Sequence, residues 1–290
     1  MPACAFLTMD DMTGFVSYDT RVREPLARRG WSLDEVPWRS RTAVWQDFDV
    51  VVIRTTWDYQ DAPTEFLRVL EHIDRATRLE NPLATVRWNL DKRYLQELAG
   101  QGIRIVPTTW GEHATSAELR AAFDSFGTDQ IVIKPQVGAN ADDAVWLRRE
   151  DPDLDDVVRY AAGLFAQRSF MLQPFMTSVI DEGEHSLIYF AGAYSHTILK
   201  TPKAADFRVQ EEHGGVIRAT SPEPLLRRRA DAIMATFAEP PLYARVDLVR
   251  TPDHDFALME LELIEPSLYL SYDDGAAERF ATAITRVASG

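Results

Sequence analysis

Cysteine occurs once, at Cys4, and the six histidines are widely scattered. A single thiol cannot close an internal disulfide, which fits a reducing, cytoplasmic setting. One cysteine and dispersed histidines also leave a zinc cage without ligands, so chemistry must rest on carboxylates, arginines and lysines. No apolar run approaches the roughly 18 residues that a bilayer span needs. The opening MPACAFLTMDD lacks the basic start and longer apolar stretch of a secretory signal. No membrane partner is therefore expected. A net charge of −14 opposes sequence-independent nucleic-acid binding, which needs a basic surface to displace counterions. GxxxxGK[ST], GxGxxG, HExxH and GxSxG are all missing, so neither a P-loop nor a standard dinucleotide, zincin or hydrolase signature explains the chain.

Lysine is scarce too. Only Lys92, Lys134, Lys200 and Lys203 occur, and the other 27 of the 31 basic residues are arginine. That bias reads as a GC-rich genome, against which a retained lysine is a candidate for a compact point charge. The 290 residues favour two or three subdomains over one core. The first 85 or so alternate strand and helix. ACAFLT and DFDVVVIR read as buried parallel strands, a helix is expected over 13–29, and Pro63 opens another. Further on, a helix is expected over 89–99, a strand over IRIVPTTW, a helix over 116–126, and strands at QIVIKPQ, AVWLRR and SFMLQPF. Hairpins are expected from SLIYF to YSHTILK, and from YARVDLVR to FALMELELI. Helices near 152–167, 223–238 and from Ala276 complete an α/β chain.

Three constellations carry chemistry. In the last hairpin, pairing Arg250 with Ala257 sets Asp247 opposite Glu260 and Arg245 opposite Glu262, all on one face. Facing carboxylates destabilise a sheet unless a cation joins them. Three carboxylates without histidine suit magnesium, or manganese; a solvated acidic face is the plainer alternative. Lys134 ends an apolar strand just before the loop at 138–143, where it can lie over phosphates or merely terminate the strand. In LQPFM, Gln173, Pro174 and Phe175 interrupt a strand, and the backbone freed there can meet an adenine edge. Glu182 and Glu184 follow closely.

Taken in order, these motifs resemble the ATP-grasp superfamily of carboxylate–amine ligases. The resemblance covers most of residues 89–270. It implies phosphate-binding lysines at Lys92 in NLDKRYL and Lys134 in IVIKP, an adenine hinge at Gln173 and Phe175, and a ribose-side segment at Glu182 and Glu184. It implies catalytic basic groups at Lys200 and Arg208, and a metal end at RVD and MELELIEP. Glu262 stands where the family usually has asparagine. The implied fold has three subdomains: a Rossmann-like pre-ATP-grasp domain over 1–88, a lid subdomain over 89–173 and a C-terminal subdomain with the metal site over 174–290. ATP and Mg2+ are the implied cofactors, and Arg245 the stabiliser of acyl phosphate and oxyanion.

RTTWDY, RWNLDKRYL, HGG and ELELIEPSLYL are most similar to a small branch that includes the D-cycloserine synthetase of actinomycete antibiotic pathways. That likeness implies cyclisation of O-amino-D-serine to D-cycloserine. An intermolecular dipeptide-type ligase and a non-catalytic nucleotide-binding protein remain as alternatives. RTTWDY sits at the carboxyl end of an apolar strand, where open parallel sheets bind ligands. There Arg54 is expected to hold a carboxylate and Asp58 an amine, with Trp57 and Tyr59 as pocket walls. In the alternative, Trp57 packs under the loop while Arg54 and Asp58 pair with each other. The expected partner is a small amino-acid-like substrate, and the sequence leaves the oligomeric state open, with a homodimer in view.

Overall fold

The computed structural model describes residues 1–204 and 206–288. Three sheets build it. The first contains β1 (Ala3–Thr8), β2 (Ser32–Pro37), β3 (Val50–Thr55) and β4 (Arg78–Glu80), all parallel in the order β2-β1-β3-β4. Every residue of β3 is buried, as a continuous apolar run covered on both faces requires. Helices α1 (Arg23–Arg28) and α2 (Pro63–Ala76) flank this sheet. Pro63 opens α2 at a position needing no N–H donor, and Phe66, Leu70 and Ile73 bury its inner face. The helix expected over 13–29 is largely replaced by loop: residues 19–22 form one 3-10 turn and only α1 is helical. Phe15 instead packs on Trp57, ring centres 5.4 Å apart.

Next come α3 (Leu83–Asn89) and α4 (Tyr94–Gly100), where one helix was expected. Asp91 causes the break by accepting from the Arg93 backbone at 2.9 Å and from its side chain, a local alternative to helical bonding. The break brings the Lys92 N–H to the Gln136 carbonyl at 2.9 Å. IRIVPTTW contributes only the short strand β5 (Thr109–Gly111). Upstream of Pro107, Val106 donates to Leu258 and Leu258 to Arg104, so that stretch crosses to the C-terminal sheet. A four-stranded antiparallel sheet then forms from β5, β6 (Gln130–Pro135), β7 (Val145–Arg148) and β8 (Phe170–Pro174), in the order β5-β8-β6-β7. Helices α5 (Ser116–Phe126) and α6 (Leu154–Leu164) accompany it. A reciprocal Thr115/Glu118 cap begins α5, and Gly127 in the left-handed region ends it.

After the single turn α7 (Ser178–Asp181), the five-stranded antiparallel sheet follows. Its strands are β9 (Glu184–Phe190), β10 (Ala193–Thr201), β11 (Val216–Thr220), β12 (Tyr243–Arg250) and β13 (Phe256–Glu262), ordered β11-β10-β9-β12-β13. Strand β11 was not foreseen. Helices α8 (Pro224–Met234) and α9 (Ala276–Ala288) cover the sheet's apolar sides. No helix among the described residues is long and apolar enough to cross a membrane.

The register of the last hairpin corrects the expected one. Arg250 pairs with Phe256 and Val249 with Ala257, one residue off at the turn. A bulge at Asp247/Leu248 leaves Met259 as the extra residue and restores Asp247 opposite Glu260 and Arg245 opposite Glu262. Val246, Leu248, Leu258 and Leu261 pack into the core on the other face.

Candidate active site

A cleft runs between the middle and C-terminal sheets, with the loop after β3 at one end. It encloses about 1500 Å³, part of it open to solvent. Its lining joins residues far apart in sequence, from Trp57 and Tyr59 through Lys92, Lys134 and Lys200 to Glu262.

At the apolar end, Val132, Phe175, Met176 and Val179 form a slot. Trp146 supports it from behind, with its ring centre 4.6 Å from that of Phe175. Gln173 donates to the Thr108 hydroxyl at 3.0 Å. Toward the middle, Lys92 reaches Glu260 at 2.8 Å and the Gly138 carbonyl at 2.7 Å. Lys200 pairs with Glu184 and lies 3.4 Å from Asp247. Burial opposes the Lys200 charge, but Asp247 and Glu184 more than reverse that and hold its pKa above the usual lysine range. Lys134 differs. It is desolvated, its pKa is pushed down by that burial, and among the described residues its hydrogen-bond partner is the Met259 sulfur at 3.5 Å.

On the facing strands, Arg245 contacts Asp247 with Nη2–Oδ2 at 3.0 Å and also pairs with Glu262. Ser186 donates to Asp247 as well. Enclosure in the cleft pushes Glu262 up to about 7, with Arg245 opposing and Glu260 adding to the rise. Glu265 rises to about 8, from burial first and then the Glu262 charge. Among the described residues, no three acidic or histidine side chains converge as a ready metal cage. Asp247, Glu260 and Glu262 share one face, but each is turned to a cation. The donor chemistry fits a hard divalent ion, because all three are carboxylates beside a phosphate-sized space.

Several expected residues lie elsewhere. Arg54 does not face the cleft. It is 1% exposed, bidentate to Asp19 at 3.1 Å on both bonds, and donates to the Pro266 carbonyl at 3.0 Å. Asp58 accepts from the Trp38 indole at 2.7 Å and pairs with Arg39. Neither the substrate role of these two nor their mutual pairing is what the geometry gives, because each finds a nearer partner of opposite charge. Glu182 is held by Arg250 at 2.6 Å and His185 at 2.9 Å, outside the cleft lining, whereas Glu184 lies inside it. Trp57 and Tyr59 do line the cleft, and Trp57 Nε1 donates to the Glu265 carbonyl at 2.8 Å. Arg208 lines it too, bonded to Asp206 at 2.9 Å.

The Arg54–Asp19 pair therefore positions the segment after β13. Removing one partner of a buried pair leaves an uncompensated charge. Arg54→Met is expected to lower unfolding free energy by about 3–5 kcal/mol, and Arg54→Met with Asp19→Leu to recover much of it. Denaturant midpoints with unchanged slopes check this; equal loss in single and double variants contradicts it.

A desolvated lysine, paired carboxylates and an apolar slot between two antiparallel sheets fit an ATP-dependent carboxylate–amine ligase of ATP-grasp fold. The comparisons with known proteins agree. The family model for the N-terminal domain of D-cycloserine synthetase DcsG matches residues 4–81. The chain is 33% identical over 276 residues to the cycloserine biosynthesis protein DcsG of Streptomyces lavendulae, covering 88% of each. It is also similar to the crystal structure of D-cycloserine synthetase DcsG, at a TM-score of 0.86, 30% identity and 99% of both chains. The chain belongs to the D-cycloserine synthetase family. At 14% identity the fold alone is shared with the ATP-grasp ligase PsnB, solved with a precursor variant, Mg and ADP (TM-score 0.67, 99% and 98% covered).

Proposed function

We propose that this ligase closes O-amino-D-serine to D-cycloserine, with ATP converting the carboxylate to an acyl phosphate. The observation that carries the activation step is Lys134: a half-buried, desolvated cation that faces the cleft and has no carboxylate paired to it among the described residues. A polyanion resolves that desolvation; a purely structural lysine has no such need. The substrate rests on membership of the family, whose named relative acts in cycloserine biosynthesis.

Adenine would lie in the slot of Val132, Phe175 and Met176 beside Gln173, with Glu184 toward the ribose. Lys92, Lys134 and Lys200 neutralise the phosphates, with Arg208 at the cleft wall. Asp247, Glu260 and Glu262 would hold magnesium, which when bound draws negative charge off the β- and γ-phosphates. A substrate carboxylate oxygen attacks the γ-phosphorus and ADP leaves. Arg245, released from Glu262, stabilises the acyl phosphate and then the tetrahedral oxyanion. The aminooxy nitrogen attacks the acyl carbon, loses a proton, and expels phosphate. The loop at 138–143 keeps water out: Asn140 already donates to the Trp57 carbonyl at 3.2 Å, and Gly138 accepts from Lys92. Ring closure puts nucleophile and electrophile in one molecule, where effective molarities reach about 10⁵–10⁸ M, so no second amine site is needed.

With ATP, magnesium and O-amino-D-serine alone, one phosphate should be released per substrate, and the product should be lighter by one water. Ligation of two separate amino acids without that product would replace cyclisation by an intermolecular ligase of the same class.

A further inference from the structure

With Asp58 taken by Trp38 and Arg39, the substrate's α-ammonium is left without an assigned acceptor. Glu211 lines the cleft on the loop between β10 and β11. Tyr18 donates to both of its oxygens at 2.9 Å, and Tyr272 donates to Oε1 at 3.2 Å. Among the described residues it has no ion-pair partner, whereas Glu184, Asp247, Glu260 and Glu262 in the same cleft each have at least one. Burial, the Tyr272 hydroxyl and the neighbouring Glu211 raise the Tyr18 phenol far above its ordinary value.

Aromatic rings stand around this carboxylate, and of them Tyr269 lines the cleft with it. Tyr18, Tyr269 and Tyr272 form a triangle, with ring centres 6.1, 5.8 and 5.9 Å apart. Tyr269 adopts the left-handed region (φ 47°), a conformation uncommon for a bulky residue and frequent where structure serves a site. Its ring also lies 5.9 Å from the Arg245 guanidinium carbon. Tyr269 thus stands between the arginine that meets the reacting carboxyl group and the carboxylate that lacks a cation. The loop is held in shape by Gly214 and Gly215. The first has φ +83°, and a Cβ on the second would meet the Val209 carbonyl at 2.1 Å.

We propose that Glu211, held by Tyr18 and Tyr272 and walled by Tyr269, is the subsite for the α-ammonium group of the amino-acid substrate. The assignment rests on the reading of the chain as an amino-acid-activating ligase. A carboxylate and tyrosine faces together recognise a primary ammonium through charge-assisted hydrogen bonding and cation–π attraction.

The test compares O-amino-D-serine with 3-(aminooxy)propanoate, which keeps both reacting groups and lacks only the α-amine. The wild-type kcat/KM is expected to favour the amino acid by at least ~10-fold. Glu211→Gln should bring that ratio toward one, mostly through KM for the amino acid, with KM for ATP unchanged. A ratio unaltered in the variant, or a parallel fall for both substrates and for ATP, overturns the assignment. Should Glu211→Gln not fold, Glu211→Asp retracts the charge and should lower the preference several-fold; a preserved preference again overturns it. If the wild type releases no ADP with O-amino-D-serine, the cyclisation reading has failed. The subsite is then judged by the same ratios on whichever amino acid does release ADP and its des-amino counterpart.

Discussion

Lys134→Met is expected to lower kcat/KM for ATP by roughly 10²–10³, corresponding to about 2.7–4 kcal/mol for removing one preorganised charge from a developing transition state. The same variant should be no less stable than the parent. Lys134 is half-buried, its pKa is depressed by desolvation, and its described contact is a thioether. Methionine of similar length fills the space without a charge to desolvate. The opposite directions of the two effects separate a phosphate-binding lysine from one that merely ends β6. Steady-state kinetics with ATP varied, alongside thermal unfolding of the free protein, reads both. Lost stability with intact turnover would assign Lys134 to the fold.

Glu260→Gln is expected to reduce turnover at least ~10²-fold at saturating magnesium, and to raise the magnesium concentration needed for half-maximal rate. Glu260 is the cleaner choice among the three carboxylates. Asp247 is almost fully buried between Arg245, Lys200 and Ser186, so its replacement also strands cations. Glu260 is partly open to the cleft, and among the described residues its one ion pair, with Lys92, is at 2.8 Å. The amide keeps the shape while removing the charge that metal and lysine share. Near-normal activity at limiting magnesium would remove Glu260 from the metal set.

The sequence was legible where periodicity or local chemistry was strong. The runs in β1, β3, β6 and β8, the Pro63 start of α2 and the Thr115/Gly127 ends of α5 carry their own physical signals. Lys92, Lys134, Lys200, Asp247, Glu260 and Glu262 do share one cleft. What escaped depends on partners distant in sequence. Arg54 and Asp58 are four residues apart, yet Asp19 and Arg39 claim them through the fold. Periodic apolar residues from Phe15 to Leu26 suggested a helix because Phe15 and Tyr18 are apolar in pattern, whereas they pack on Trp57 and Glu211 from a loop. The bulge at Met259 left the Asp247–Glu260 pairing intact through a register that the turn alone does not show. Glu211 gave no signal, because its significance lies in hydroxyls 193 and 61 residues away; the adjacent HGG motif marked the loop without marking the residue.

The central claim is that ATP activates the substrate's carboxylate by phosphoryl transfer, and oxygen tracing tests it most directly. O-amino-D-serine carrying ¹⁸O in both carboxyl oxygens is incubated with enzyme, ATP and magnesium, and the released phosphate and cyclic product are weighed. Each phosphate should carry one ¹⁸O, one should remain in the product carbonyl, and ADP should equal phosphate. Unlabelled phosphate accompanying ADP, or AMP and pyrophosphate in place of ADP and phosphate, would contradict the account.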